Sequence, residues 1–394
     1  LGLNFAMGWN RFHFSVLGVW PEPRKVSNTS KLISSLIFWV SAIEIFSFLC
    51  APQTAYLIVR SSRLDEVIEN LSINVPTAFA LVKQIVLRYN KEALTSLLDQ
   101  VVTDWSGGIM EGDRKVMLKN AKISRVISIT SSSLNYFMLT TFFFFQIWSN
   151  MKDTAETDLG GLLHPTIYPY DTKESPNFEV TWIGQFVATA LTAICYSSFD
   201  TFFAALVLHL CGQLTILRLA LENLTETTKA QNFLSFRKEL GFIVHRHNQL
   251  SRFADTVEDC FNLTLLIQTV ISTAMFCLTG YRLMVVCINR SAIFNIYLFG
   301  LAFFLIHVTY TMLHLFIYCY VGEALLGEST GIAESAYNCK WYQLPPKHAA
   351  SLINVIGRGR VAFRITAGKF SPFSMELFNA VCLTVQITNM YSVV

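Results

Sequence analysis

The stretch that decides the fold is Phe373-Ser-Met-Glu-Leu-Phe-Asn-Ala-Val-Cys-Leu-Thr-Val-Gln-Ile-Thr-Asn-Met-Tyr-Ser-Val-Val394. As a helix rising about 1.5 Å per residue it is long enough to cross a bilayer core of about 30 Å. Yet it carries Asn379, Thr384, Gln386, Thr388 and Asn389. A lone span facing lipid has no partner for those amides and hydroxyls, so the segment reads as lining something wet. Before it, Gly368 and Pro372 interrupt the chain, which predicts a packing helix over 348–367 and a separate final helix over 373–394.

Working outward, the composition agrees. Of 394 residues, 53% are hydrophobic, 13% are aromatic and only 14% are charged, against about 25% charged for a soluble domain. This is the signature of a polytopic, all-α membrane protein. A net charge of +3 is too small to suggest nucleic acid, and the aromatic residues sit in apolar runs instead of alternating with Lys and Arg. The chain begins at Leu1, so residues before it are expected. The first apolar run starts near Leu32 and is too long for the core of a cleaved leader.

Apolar windows predict seven spans, at 32–58, 67–87, 126–148, 180–211, 261–281, 292–326 and 373–394. The second is the least apolar, holding Glu69, Asn74, Pro76 and Lys83. Several spans run without a breaker into amphipathic stretches such as Leu206–Thr228 and Phe233–Asp255, expected to continue outside the membrane and pack together. Most of the 30 Lys and Arg fall in the N-terminal arm, 88–125, 211–255 and 325–369. These segments are therefore read as cytoplasmic. With an odd number of spans, the N-terminus lies inside and the C-terminus outside, the reverse of a G-protein-coupled receptor. Two intramembrane charges stand out. Glu44 is left open, and Lys83 is read as reaching the inner interface on its long stem.

The search for chemistry is unrewarding. Nine scattered cysteines include no C-x-x-C pair and imply no disulfide framework. Asn289-Arg-Ser291 is an acceptor sequon in an expected outer loop. His245-Arg-His247 points its rings to opposite sides of a helix, and His307, Tyr310, Thr311, His314 and Tyr318 form a stripe best read as bonding a neighbouring helix. No nucleophile elbow, phosphate loop, dinucleotide fingerprint or zinc-protease motif occurs. Neither an enzyme nor a cofactor is expected.

Five motifs, in order along the chain, resemble the insect odorant receptors: Leu17-Gly-Val-Trp-Pro21, His164-Pro165…Tyr168-Pro-Tyr-Asp171…Ser175-Pro176, Gly322-Glu323…Glu328-Ser329, Ala336-Tyr-Asn-Cys-Lys-Trp-Tyr342 and Gly368-Lys-Phe…Ser374-Met-Glu-Leu-Phe378. The Thr-Tyr…Gln-Phe signature of the related gustatory receptors is not found. The resemblance implies a single seven-helix domain over 1–394. Its parts would be a cytoplasmic arm 1–31, an outer bundle 32–205, cytoplasmic helices 206–260 and 327–368 forming an intersubunit anchor, and a pore helix 373–394. It also implies an odorant-gated, non-selective cation channel of four subunits in the plasma membrane of olfactory dendrites. The shared co-receptor, Orco, carries a long insertion between its fourth and fifth spans. Here Thr228 runs almost directly to Phe233, so the chain is expected to be a tuning subunit that assembles with Orco.

On the last helix Thr384, Thr388 and Tyr391 share a face at i, i+4 and i+7. With Val394 they are the expected pore lining, the alternative being bonds between helices. The family's site in the outer half of the bundle, carried over by depth, picks Asn74, Thr77, Tyr136, Phe137, Thr140, Phe144, Gln185, Phe186, Thr189, Tyr297, Leu301 and Phe304 for a small volatile ligand. The competing classes are a seven-span receptor of G-protein-coupled type, a gustatory-like chemoreceptor, and a transporter with paired halves, of which no internal repeat is seen.

Overall fold

A computed structural model describes residues 2–21, 27–60, 64–107, 110–152, 161–227, 233–288 and 294–391. They form helices α1 (Gly2–Val16), α2 (Asn28–Ile45), α3 (Ala51–Val59), α4 (Leu64–Tyr89), α5 (Lys91–Ser106), α6 (Glu111–Lys152), α7 (Asn177–Glu222), α8 (Leu224–Thr227), α9 (Phe233–Ile288), α10 (Phe294–Asn338), α11 (Pro346–Gly359) and α12 (Met375–Tyr391). Two dipeptide strands, β1 (Thr366–Ala367) and β2 (Ser371–Pro372), pair antiparallel.

Among the described residues, five helical stretches are long and apolar enough to cross a membrane: Asn28–Val59, Glu66–Tyr89, Asn177–Glu222, Leu234–Leu278 and Leu305–Gln343. The expected third and seventh spans fall on α6 and α12, whose apolar runs are diluted by residues such as Ser131, Ser132, Asn135 and Asn379. α7, α9 and α10 continue unbroken far beyond a bilayer's thickness, as the amphipathic continuations predicted.

α7 is apolar on every side and is the central post of the bundle. Phe199, Phe202, Phe203, Leu206 and Val207 have no exposed surface. α1, α4, α6, α9 and α10 pack around it.

α2 and α3 are joined by a π-helical turn, Phe46–Cys50. Pro52 has no N–H to give the Phe48 carbonyl one turn back. The Tyr168 hydroxyl of the α6–α7 loop fills that vacancy, donating to Phe48 O at 2.8 Å.

Within the arm 1–31, α1 packs against both α6 and α7. There Trp9 Nε1 donates to Ser132 at 2.8 Å, Thr201 donates to Asn10 at 2.7 Å and the Phe14 ring meets Phe202 edge-on. Gly18 turns the chain out of α1 at φ +66°, and a Cβ there would lie 2.4 Å from the Phe38 nitrogen and the Ser34 carbonyl.

The structure does correct one expectation: the predicted helix over 348–367 is too long. It ends at Gly359, and the segment up to α12 is extended, with a hairpin at 366–372. Gly368 (φ +60°) and Lys369 (φ +66°) are both left-handed, and Phe370 N–H closes the turn on Ala367 O at 3.1 Å. Two consecutive positive φ values suit a hairpin turn and cannot occur inside a helix.

Candidate functional site

At the end of the bundle capped by the α6–α7 loop, the end expected to be the outer one, the organising residue is Gln185 of α7, which is fully buried. Its Oε1 accepts from the backbone N–H groups of Leu163 (2.9 Å) and His164 (3.2 Å), while Nε2 donates to Thr166 Oγ1 (2.9 Å) and Tyr168 OH (3.2 Å). One amide thus satisfies four groups of the outer loop, and Ile167 N–H anchors the same loop to Pro52 O at 3.1 Å.

One turn on, Thr189 Oγ1 donates to Gln185 O at 2.6 Å and so accepts from His164 Nε2 at 3.0 Å. This fixes the neutral tautomer with its proton on Nε2. Burial lowers the pKa of His164 to about 4 and raises that of Tyr168 to about 12. The His164 ring stacks on Phe142 at 5.1 Å, and Phe143, Phe186 and Trp182 form a second stack beside it.

Of the twelve residues predicted for ligand contact, the structure brings Gln185, Phe186 and Thr189 into this one assembly. Gln185 is there as a loop staple, a role the sequence reading did not foresee. Asn74 is buried and donates to Thr54 at 3.1 Å, whereas the Thr77 hydroxyl bonds its own helix at Ile73 O. Tyr136 is bonded to His13 of α1 at 2.6 Å, which turns it toward the arm. Phe137 (56% exposed), Thr140 and Phe144 (72% exposed) lie on an outward face of α6, with the Thr140 hydroxyl satisfied by its own helix. A helix repeats every 3.6 residues, so equal depth along α6 does not mean a common face. The side chains of Tyr297, Leu301, Phe304, Thr384, Thr388 and Tyr391, together with all of Val394 and Asn289, lie outside the described residues.

A second cluster lies deeper, and here the reading of Lys83 is corrected. Lys83 does not reach the interface. It is wholly buried, with Nζ 2.7 Å from Asp200 Oδ1 of α7 and over the Tyr196 ring at 3.9 Å. The other carboxylate oxygen, Oδ2, is 2.6 Å from His314 Nδ1 of α10. The other ring nitrogen, Nε2, lies 3.1 Å from the Ser131 hydroxyl of α6, and Ser131 meets Ser197 at 3.2 Å. Three helices, α4, α7 and α10, therefore meet at one carboxylate, and α6 joins them through Ser131. Of the expected stripe, His314 meets neighbouring helices in this cluster, whereas the Thr311 hydroxyl bonds its own helix at His307 O. Asp200 was missed, although a lone acid in an apolar span demands a partner and Lys83 was available.

The third component is the root of α12. Phe373 N–H donates to Ile365 O at 2.9 Å, and Phe373 O sits where a Cβ on Gly322 of α10 would lie only 2.4 Å away. Met375 N–H donates to Glu323 at 3.3 Å, and the Phe373 ring rests against Tyr318 at 5.6 Å. The hairpin before it docks on α9, with Thr366 N–H donating to Glu258 at 2.9 Å and Gly368 N–H to Asn262 O at 3.0 Å. The start of α12 is thus gripped by α9 and α10.

Comparison with known proteins places this architecture. The family model described as 7tm Odorant receptor matches residues 63–385. Among curated proteins, the chain is 23% identical to Odorant receptor 13a of Drosophila melanogaster over 93% of this chain and 90% of that one. It is 22% identical to Odorant receptor 85b of the same species over 90% and 89%. The odorant receptor coreceptor of Harpegnathos saltator is 29% identical, but over only 39% of this chain and 30% of its own length. Among solved structures, the insect olfactory receptor OR5 from Machilis hrabei in complex with eugenol superposes with a TM-score of 0.82 at 17% identity, covering 99% of both chains. That likeness shows the fold, and the match over most of the sequence shows the rest: this chain belongs to the 7tm odorant receptor family.

Proposed function

We propose that the chain is the odorant-binding, tuning subunit of a heteromeric odorant-gated, non-selective cation channel, completed by the Orco co-receptor in the plasma membrane of olfactory neuron dendrites. The observation that carries this reading is the pattern of likeness along the chain. Odorant receptors 13a and 85b match over about nine-tenths of both lengths and odorant receptor 82a over a little more than half, whereas the co-receptor matches over 39% of this chain and 30% of its own. Only five residues separate α8 from α9, where the co-receptor's insertion would stand. The family is one of receptors, not of enzymes.

In this reading the seven spans place the N-terminus inside and the C-terminus outside. α12 lines the conduit through Thr384, Thr388, Tyr391 and Val394, and segments 206–260 and 327–368 anchor the subunits. The ligand, a small volatile, lodges in the outer half near Phe186 and Thr189, beneath the loop stapled by Gln185. Favourable binding there shifts the gate to the extent that the open state binds more tightly.

The test is whole-cell recording with a panel of volatile alcohols, esters and phenols, from cells expressing this chain alone, Orco alone, or both. Evoked cation current confined to the pair supports the reading. Equal evoked current from the chain alone refutes the subunit role.

A further inference from the structure

The Lys83–Asp200–His314 cluster invites a mechanical question, because apolar packing would hold the bundle as well. Replacing a buried ion pair with apolar residues of similar volume is often neutral or stabilising, so stability does not explain its presence. What a buried pair supplies is a discrete geometry: it is either made, or it leaves a charge stranded in a dry interior. Here each oxygen of Asp200 faces another helix, one Lys83 of α4 at 2.7 Å and one His314 of α10 at 2.6 Å, so α10 cannot creep along α7 without parting His314 from Asp200.

Position gives the cluster two neighbours of interest. Toward the outer end of the same helix, eleven residues and about 16 Å from Asp200, stands Thr189. One turn along α10 from His314 stands Tyr318, fully buried, which meets Phe203 of α7 on one side and Phe373 at the root of α12 on the other. Gly322, one further turn on, lets that root approach α10 closely. A continuous packed route thus runs from the outer half through Asp200 and His314 to Tyr318, Phe373 and α12.

We propose that this cluster is the gating latch of the subunit. It holds α10, and with it the root of α12, in register with α7 in the resting channel, and displacement of α7 at the ligand site reaches the pore by straining or breaking it. The proposal rests on the channel reading above, and its test separates the two.

Each variant is expressed with Orco. Current without any odorant is isolated by replacing external sodium with N-methyl-D-glucamine and divided by surface-biotinylated protein. The paired change K83M/D200L removes both charges at once, His314→Leu removes only the α10 arm, and His314→Gln keeps a donor toward Asp200.

The first two are expected to raise odorant-free current per surface channel by about fivefold or more, with His314→Gln within about twofold of the wild type. If K83M/D200L does not reach the surface, His314→Leu decides. Odorant-free current within about twofold of the wild type in the variants that reach the surface overturns the latch, as does a fall. Loss of surface delivery by both K83M/D200L and His314→Leu shows a role in folding alone and equally overturns it. Absence of any volatile-evoked current in the wild-type pair would instead defeat the channel reading.

Discussion

The outer half and the middle of this bundle both use buried polar side chains, but with different chemistry. Around Gln185 every partner is neutral: amides, hydroxyls and a histidine kept uncharged by burial. Around Asp200 the partners are an ammonium and an imidazole. Neutral hydrogen bonds exchange with water at a net of about 1 kcal/mol each and can be remade one at a time. A buried ion pair is cooperative, because losing one member strands the other. A ligand site made from the first kind can tune its contacts, whereas a coupling element made from the second kind switches between discrete arrangements.

The largest effect should come from stranding a charge. Asp200→Leu alone leaves the Lys83 ammonium in the dry core and should destabilise the subunit by about 3–5 kcal/mol. Surface delivery of the complex with Orco should collapse, and Lys83→Met should restore much of it. Equal delivery of the single and double variants would show that the two side chains are not energetically paired.

Gln185→Leu should be milder. It leaves the Leu163 and His164 N–H groups without their acceptor, at about 1–3 kcal/mol for each unsatisfied group, and lowers the thermal midpoint of the purified complex less than Asp200→Leu does. A drop as large as that of Asp200→Leu would erase the contrast between the two regions.

Smaller still is the pH response of His164. Its folded pKa, about 4, lies below the ordinary value of 6.5 because burial disfavours the charged ring. The unfolded chain therefore takes up a proton first as pH falls. The stability this group contributes is present above about pH 6.5 and is lost progressively between there and about pH 4. Thermal midpoints measured from pH 7.5 to 4.5 should fall more steeply for the wild type than for His164→Asn, which keeps a donor toward Thr189 without titrating. Identical slopes would show that another group carries the acid response.

Legibility in the sequence followed the range of the interactions. The long helices were readable because each writes its own apolar run, and the continuations of α7, α9 and α10 because nothing in their sequence stops them. The hairpin at 366–372 was not, since two-residue strands leave no periodicity and only Gly368 hints at a left-handed turn. Lys83 was noticed, but its partner lies 117 residues away on another helix, and no local pattern links them. The outer site was placed by depth alone. That gathered Gln185, Phe186 and Thr189, which share one helix, together with Phe137, Thr140 and Phe144 from an outward face of another.

The central claim, that the outer half selects the ligand while α12 carries the ions, is tested most directly by recording Thr189→Val and Thr388→Lys side by side with Orco. Thr189→Val should shift the concentration for half-maximal response or the order of effective volatiles, by about three- to tenfold for one hydrogen bond, with reversal potentials unchanged. Thr388→Lys should depress cation current or alter its selectivity at every odorant concentration, without reordering the volatiles. If Thr388→Lys changes only the ranking of volatiles and never conductance, rectification or selectivity, α12 does not line the pore and its polar face serves packing.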